Sequence, residues 1–577
     1  MKLDRVIRRC RAAFGAAIMA VVAISAPAQV VSLTEDRQDQ TQPAQPPAPI
    51  QLRRVGVNES NPLSLTLFDA VKLALENNQE IEVDRINVRQ AEYDLFAANG
   101  ARDVTLTSNS FFEHRTVPVG SVLAGGPNGT LTTDTFSYDF AAQQLVSTGG
   151  QWTAQFTNSR VDSNSQFSSL NPQYNAGLAL QFRQPLARNR SIDESRRRIG
   201  VARKRLDQSD SQFRQRAIET VSRVQRAYWD LAFALRDLQI RRESIDLARN
   251  QLERNQRMVK EGTLAPVELI SVEVELERRK DAALSALDGV TRAENALKQL
   301  ILGDRQSQTW QRPLMPADSP AVNTPALTLD EATSVAFHNR PEITQNELQQ
   351  EINKVDVSFF ANQTRPQVDL LAVYGTTGLA GTAVPTGSPF VASTVVMLTR
   401  VNELSSLAGL PPVVLPPQNQ LPNFLLGGNG QSLSNLFGND FRTWRVGLAF
   451  NFPLRNRTAE AQLGRSVAEG RKIDSRRKSL EQSIEAEVRD ALQAVDTARL
   501  RIETARASRV AAEQQLDSEQ RRFAAGMSTN FLVLERQNAL SEAQGRELRA
   551  LTDYNKAISE LQRVMGTTLT ASNVELK

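Results

Sequence analysis

Residues 174–190 read YNAGLALQFRQPLARNR, and residues 443–457 read TWRVGLAFNFPLRNR. In the first, Tyr174, Ala176, Leu178, Leu180 and Phe182 alternate with Asn175, Gly177, Ala179, Gln181 and Arg183. In the second, Trp444, Val446, Leu448, Phe450 and Phe452 alternate with Thr443, Arg445, Gly447, Ala449 and Asn451. A two-residue period puts each set on its own face of a β-strand. About ten residues with one apolar face is also the pattern of a strand that crosses a bilayer with lipid on one side and water on the other. A half-buried strand of a soluble sandwich alternates in the same way, so the surroundings must decide.

Three features of the surroundings favour the membrane. Lys2, Arg5, Arg8, Arg9 and Arg11 precede an apolar run from Ala12 to Ile24 and then Ala26-Pro27-Ala28. This is a charged region, a short apolar region and a cleavage site, so residues 1–28 read as an export signal. Cys10 lies before the apolar run, and no cysteine follows it, which disfavours lipidation. Nothing downstream approaches eighteen consecutive apolar residues, so a membrane passage would have to use strands. Pro/Gln-rich residues 29–61 read as a linker.

The third feature is a pair of very long helices. Residues 192–261 and 458–525 contain no proline, and each would form a rod about 100 Å long. In the first, Leu231, Leu235, Leu238, Arg242, Ile245, Ala248, Leu252, Asn255 and Val259 follow a 4-3 alternation; in the second, Val488, Ala491, Val495, Ala498, Ile502, Ala505, Arg509, Ala512, Leu516, Glu519 and Phe523 do the same. This is a coiled-coil seam with many small residues, suited to close side-by-side packing. Gly262 and Gly526 follow the last seam residues, where a left-handed residue stops a helix without steric penalty. Pro266 then suits the first turn of a returning helix.

These pieces occur twice in one order. LTLFDA from Leu65 and LTLDEA from Leu327 open the two copies, the strand segments quoted above follow, and KEGTLAPVEL from Lys260 and AAGMSTNFLV from Ala524 close the rods. The chain therefore divides into a first repeat at 62–303, a linker at 304–323, a second repeat at 324–566 and a tail at 567–577. Further strands fit Val104 to Phe112 and Gln367 to Tyr374, with alternating segments at Phe136-Tyr138-Phe140 and Trp152-Ala154-Phe156 joined by Gly149-Gly150. Those segments either extend a hairpin or add a pair of strands. Residues 375–440 read as a surface loop holding a short helix near Val395 to Leu407. So few strands cannot close a wide barrel alone, and several chains should share one.

One cysteine and two histidines, His114 and His338, leave no material for a disulfide framework, a Cys/His metal site or a histidine-based catalytic centre. The formal charge of +4 belongs to the export signal, whose removal leaves 63 basic and 63 acidic residues. It gives no reason to expect nucleic-acid binding. We expect no enzyme, no cofactor and no metal. An exported carboxylate enzyme such as a glycosidase needs two carboxylates across a cleft, and a chain made mostly of rods offers none.

The duplicated L-T-L-x-x-A opening, the F-x-x-P-L exit from the strands and the paired G-x-x-x-x-x-[DE]-[LV] tips make the mature chain resemble the TolC-type outer-membrane efflux proteins. The resemblance implies an α+β membrane protein: a homotrimer whose 12-stranded transmembrane β-barrel, four strands per chain, continues into a periplasmic α-helical coiled-coil barrel. It implies a passive exit duct in the outer membrane, part of a tripartite efflux pump or type I secretion system. The partners would be a periplasmic adaptor, an inner-membrane transporter and outer-membrane lipid. Adaptor contacts would fall on Gly262, Thr263, Leu264, Gly526, Met527 and Ser528. A gate would fall on Glu268, Glu535 and Phe523, and the lipid-facing surface on Tyr174, Leu178, Leu180, Phe182, Trp444, Val446, Leu448, Phe450 and Phe452. Leu532, Phe523 and Ser528 depart from the acid, tyrosine and arginine of well-known members, and each tip acid also reads as an ordinary solvated helix residue.

A periplasmic adaptor or another exported coiled-coil binding protein is the competing expectation. The duplication and the amphipathic strands speak against it. The basic groups Arg196-Arg197-Arg198, Arg203-Lys204-Arg205, Arg471-Lys472 and Arg476-Arg477-Lys478 either line the tunnel or sit on solvated faces with acidic partners.

Overall fold

A computed structural model describes residues 54–120, 129–165, 168–320, 322, 327–384, 389–414 and 421–574. The expected export signal and residues 29–53 of the expected linker lie outside them. Helices α1 (Leu67–Asn77) and α2 (Gln79–Asn99) lead into strands β2 (Thr105–Pro118), β3 (Thr130–Leu145), β4 (Gln151–Ser163) and β5 (Leu170–Pro185). Helices α3 (Glu194–Lys260) and α4 (Val267–Ile301) follow. The second half runs α5 (Leu329–Asn339), α6 (Pro341–Gln363), β7 (Gln367–Ala383), α7 (Pro389–Leu407), α8 (Asn429–Phe437), β8 (Arg442–Asn451), α9 (Arg457–Ala524) and α10 (Asn530–Val564).

The breaks in the leading helices have local causes. The Asn78 side chain accepts from the N–H groups of Glu80 and Ile81 at 2.9 and 3.4 Å, starting α2 where α1 ends. In the second half Thr328 and Glu331 form a capping box on α5. Pro341 then occupies the first turn of α6, where its missing N–H costs nothing.

The helices form a wall four columns wide. The long α3 is flanked on one side by α2 and α4 and on the other by α6 and α10, and α9 packs against both α6 and α10. Two apolar clusters hold it together. One joins Val221, Val224, Tyr228 and Leu231 of α3 to Val290, Leu297 and Ile301 of α4 and to Ala70, Val71 and Ala74 of α1. The other joins Val488, Ala491 and Val495 of α9 to Tyr554, Leu561 and Val564 of α10 and to Ala332 and Ala336 of α5. Tyr228 and Tyr554 are both fully buried. The Tyr228 hydroxyl lies 3.0 Å from the Leu65 carbonyl and 2.7 Å from the Asp318 carboxylate. Burial pushes its phenol well above the ordinary range, so it keeps the proton it donates.

The seam differs from expectation at one residue. Arg242 is exposed, and Ile240 and Ser244 are buried in its place. A straight helix drifts by about 20° per heptad relative to a strict 4-3 repeat, and a guanidinium gains by leaving the contact. The expected linker at 304–323 also contains structure: β6 (Leu314–Pro316) pairs in parallel with β1 (Leu63–Leu65), and Leu314 is fully buried. In the expected tail, α11 (Thr568–Ala571) buries Leu569 against the first cluster. Residues 575–577 lie outside the described residues.

The main sheet is antiparallel, in the order β2-β3-β4-β5-β7-β8. It has six strands per chain, not the four that the resemblance implies. The two alternating segments around Phe136–Phe140 and Trp152–Phe156 form a full hairpin on the Gly149-Gly150 turn, with Gly149 at φ 81°. The register puts Leu106, Phe112, Phe136, Phe140, Phe156, Leu178, Leu180, Phe182, Trp444, Val446, Leu448 and Phe450 on one face. Thr107, Asn109, Thr135, Asp139, Gln155, Asn175, Gln181 and Arg445 lie on the other. Phe452 falls one position past the end of β8.

The insertion between β7 and β8 carries two helices where one was expected. Helix α8 lies on the apolar face over Ala176, Gly378 and Ala380, beyond the point where β8 stops pairing. The Ser432 hydroxyl donates to Gly378 O at 3.1 Å, the Asn435 amide to Leu379 O at 2.9 Å, and Thr376 to Leu436 O at 2.9 Å. A Cβ on Gly378 would stand 1.9 Å from the Ser432 carbonyl oxygen. Gly378→Ala should therefore cost about 1–3 kcal/mol of overpacking and lift α8, seen as new protease cleavage between β7 and β8. Gly447→Ala, with nothing within 4 Å of the added carbon, should leave that cleavage unchanged.

Candidate functional site

Both hairpin tips are built by the same backbone geometry. Gly262 and Gly526 each take φ 73°. The Gly262 N–H donates to Val259 O at 3.0 Å and the Thr263 N–H to Met258 O at 2.9 Å. At the other tip, Gly526 donates to Phe523 O at 3.0 Å and Met527 to Arg522 O at 2.9 Å. Each pair of bonds is a Schellman closure, which satisfies the last helical carbonyls and reverses the chain in a few residues. Thr263 adds a side-chain bond to Met258 O at 2.9 Å. Met527 projects at 70% exposure and Phe531 at 69%, so the second tip presents apolar surface.

The gate candidates fall in different settings. Phe523 is buried beneath the second tip, one helical turn after Glu519. Glu519 is itself buried, accepts from the Ser528 hydroxyl, and has Arg522 at 3.8 Å. Glu535 is exposed on α10, one turn after Phe531, and Glu268 is half-exposed in the first turn of α4. Among the described residues neither of these two acids has an ion-pair partner. The structure joins Ser528 to Glu519, buries Phe523 one turn further along the same helix, and among the described residues leaves Glu268 and Glu535 without an ion pair.

Above the tips, the two hairpins are tied together by buried polar groups that the sequence reading did not single out. The Arg279 guanidinium, with 5% of its side chain exposed, donates to Gln537 Oε1 at 3.1 Å, to Asn538 Oδ1 at 3.0 Å and to the Ser244 carbonyl at 2.9 Å. Its Nε reaches Glu275 at 3.1 Å, and Glu275 also accepts from Asn538 at 2.8 Å. Burial draws Arg279 below its ordinary pKa, against the pull of Glu275. Two turns nearer the tips, the Gln251 amide bridges Asn255 and Asn530 at 2.9 and 3.0 Å. A usable signal was present: Leu276, Arg279 and Ala283 keep the 3-4 spacing of a buried seam, so an arginine there needs partners.

The opposite end of the wall joins the sheet through a polar collar. Arg183 pairs with Asp369, Arg188 donates to Gln363 at 2.6 Å, and the Asn189 N–H to Asn362 at 2.6 Å. The basic groups nearby are largely tied to carboxylates: Arg196 to Asp193 at 2.9 Å, Arg197 to Asp356 at 2.7 Å, Arg198 to Glu194 at 3.0 Å and Lys204 to Glu351 at 2.6 Å. Arg477 likewise reaches Glu481 at 2.9 Å and Glu347 at 3.4 Å. For these residues the ion-paired face is the reading that the geometry supports.

On the sheet, Trp444, Val446, Leu448, Phe450 and Phe452 are exposed together with Leu180 and Phe182, while Tyr174 and Leu178 are half-buried. Such a contiguous apolar surface marks contact with lipid or protein. Among the described residues no helix is long and apolar enough to cross a membrane. Among the same residues no group of three or more His, Cys, Asp or Glu side chains could hold a metal ion.

Comparison with known proteins agrees with this geometry. Three solved structures share the fold at low sequence identity. A membrane protein from Pseudomonas aeruginosa is 17% identical with a TM-score of 0.58, over 87% of this chain and 92% of that one. The CmeC outer membrane channel of Campylobacter jejuni is 14% identical with a TM-score of 0.58, over 87% and 86%. The outer membrane protein VceC of Vibrio cholerae is 14% identical with a TM-score of 0.56, over 87% and 96%. No curated protein sequence matches significantly. The family model described as outer membrane efflux protein matches residues 151–303 and 418–567, more than half of the chain and both of its long helical hairpins, so the chain belongs to the outer membrane efflux protein family.

Proposed function

We propose that the protein is the passive exit duct of a tripartite efflux pump or type I secretion system, assembled as a homotrimer and built from two tandem repeats per chain. The observation that carries this reading is the continuity of a four-column helical wall with a sheet that is apolar on one face and polar on the other, both open at their sides. A wall with free lateral edges encloses a passage only when copies meet edge to edge. The outer columns carry the apolar groups such a meeting would bury. Val83, Ile86, Tyr93 and Phe96 are exposed on α2, Val267, Ile270 and Val274 on α4, and Leu500 and Val510 on α9.

In this assembly the sheet crosses the outer membrane with Trp444 to Phe450 toward lipid, and the helices extend into the periplasm. The rods are about 100 Å long. Their tips, with Gly262, Thr263, Leu264, Gly526, Met527 and Ser528, meet a periplasmic adaptor, which couples the duct to an inner-membrane transporter that supplies the energy. Copies of Glu535 brought near a common axis repel one another and attract cations, which makes a constriction selective by charge. Glu268 stands at the neighbouring tip, and Phe523 packs beneath the tip that leads to Glu535.

Single-channel recording tests the duct. The purified protein should run as an oligomer whose gel mobility changes on heating and should conduct in planar bilayers; a monomer without conductance would overturn the reading. Glu535→Ala should raise the resting conductance or weaken block by divalent cations, and unchanged behaviour removes Glu535 from the gate. Arg279→Ala strands Glu275, Gln537 and Asn538 without their shared donor and should weaken the union of the hairpins by about 3 kcal/mol. Faster proteolysis of the tip half is the expected sign, and wild-type resistance would show that Arg279 is not the tie.

A further inference from the structure

Among the described residues, the sheet ends on two strands whose outer sides have no hydrogen-bonding neighbour, β2 and β8. Every residue of β2 except Val117, and of β8 except Ala449, is exposed. Free strand edges invite pairing, and proteins that must not pair cover them or break them with bulges. This chain covers an edge elsewhere: where β8 stops pairing with β7 at Thr376, α8 takes up the freed carbonyls of Gly378 and Leu379. Among the described residues, edge strands β2 and β8 have no such cover, and their ladders to β3 and β7 run without a bulge.

Direction and width both fit one occupant. Strand β2 leaves the helical end and β8 returns to it, so β2 of one copy beside β8 of another is antiparallel, like every internal pair of the main sheet. Packed helices lie about 9 Å apart, so the four columns of one chain occupy about 36 Å of wall. Strands spaced about 4.8 Å and tilted about 40° each take about 6 Å of circumference. Six strands then span about 38 Å and match the helical wall, whereas four would span about 25 Å. The outer hairpin is also firmly part of the sheet: β3 and β4 pair without interruption from Thr133 to Leu145, and Phe140 stacks on Phe156 across that boundary.

We propose that β2 of each copy pairs with β8 of the next, so that three chains of six strands each close a barrel of eighteen. This rests on the trimeric duct proposed above. Barrel diameter grows about linearly with strand number, which makes this one about 1.5 times as wide as a 12-stranded barrel. The membrane section then matches the helical tube in width, and the narrow point of the duct is left to the hairpin tips.

Disulfide trapping tests the contact. The sequence has one cysteine, Cys10, so engineered pairs report cleanly once it is replaced. Ser108→Cys or Ser110→Cys on β2 would be combined with Val446→Cys, Leu448→Cys or Phe450→Cys on β8, since neighbouring antiparallel strands bring residues within disulfide reach. At least one pair should oxidise to a covalent trimer while the heat-sensitive oligomer band persists, and counting strands in the unmodified oligomer by electron cryomicroscopy should give eighteen. Trapping instead between Ala154→Cys or Phe156→Cys on β4 and Val446→Cys, or a count of twelve, would overturn the proposal while leaving the duct intact. A closed covalent dimer would overturn the stoichiometry. Absence of any oligomer or conductance would overturn the duct and this contact together.

Discussion

The burial of α3 on both flanks is the constraint on which the rest of the chain depends. A helix of 67 residues is far longer than any of the helices that flank it, so its two ends are buried by different helices. Near the sheet it packs between α2 and α6, and toward the tips between α4 and α10. The partners of one flank come from the first half of the chain and those of the other from the second. Helix α3 is therefore the strut that joins the halves, and α9, its counterpart, is left with one flank unoccupied. That asymmetry leaves an apolar edge on each outer column, and the lateral association proposed above would cover it.

The polar groups in this wall occur where two hairpins must agree on a relative height. Apolar alanine-rich seams slide easily, since one small residue packs much like the next. Arg279 with Glu275, Gln537 and Asn538, and Gln251 with Asn255 and Asn530, fix the register by pairing groups that would be costly to bury alone. Near the sheet, Arg188, Asn189, Asn362 and Gln363 do the same for the joint between strand and helix.

Much of the architecture was legible in local patterns. The bounds of α3 and α9, the reversal at Gly262 and Gly526 and the apolar face of β5 and β8 follow from the absence of proline, from glycine at the helix ends and from strict alternation. What stayed open depended on contacts between distant segments. The number of strands turned on whether Phe136–Phe140 and Trp152–Phe156 pair with each other, which alternation alone does not say. Helix α8 has no long apolar stripe, because its packed face is Ser432, Asn435 and Leu436 against backbone and small residues. The inter-hairpin ties were hidden because an arginine or asparagine on a helix reads as solvated until its neighbours are known. Arg242, by contrast, did stay in water.

Around both tip glycines there is open space: no atom lies within 4 Å of where a Cβ would stand. What these positions restrict is the backbone angle alone, and Ala525 and Met527 on either side of Gly526 are exposed. Evolution can therefore rewrite the surface of the tips residue by residue while the hairpin beneath keeps its shape. If the tips are the docking surface proposed above, such a duct could change its partner by drift at a handful of exposed positions, long before any change reaches its wall.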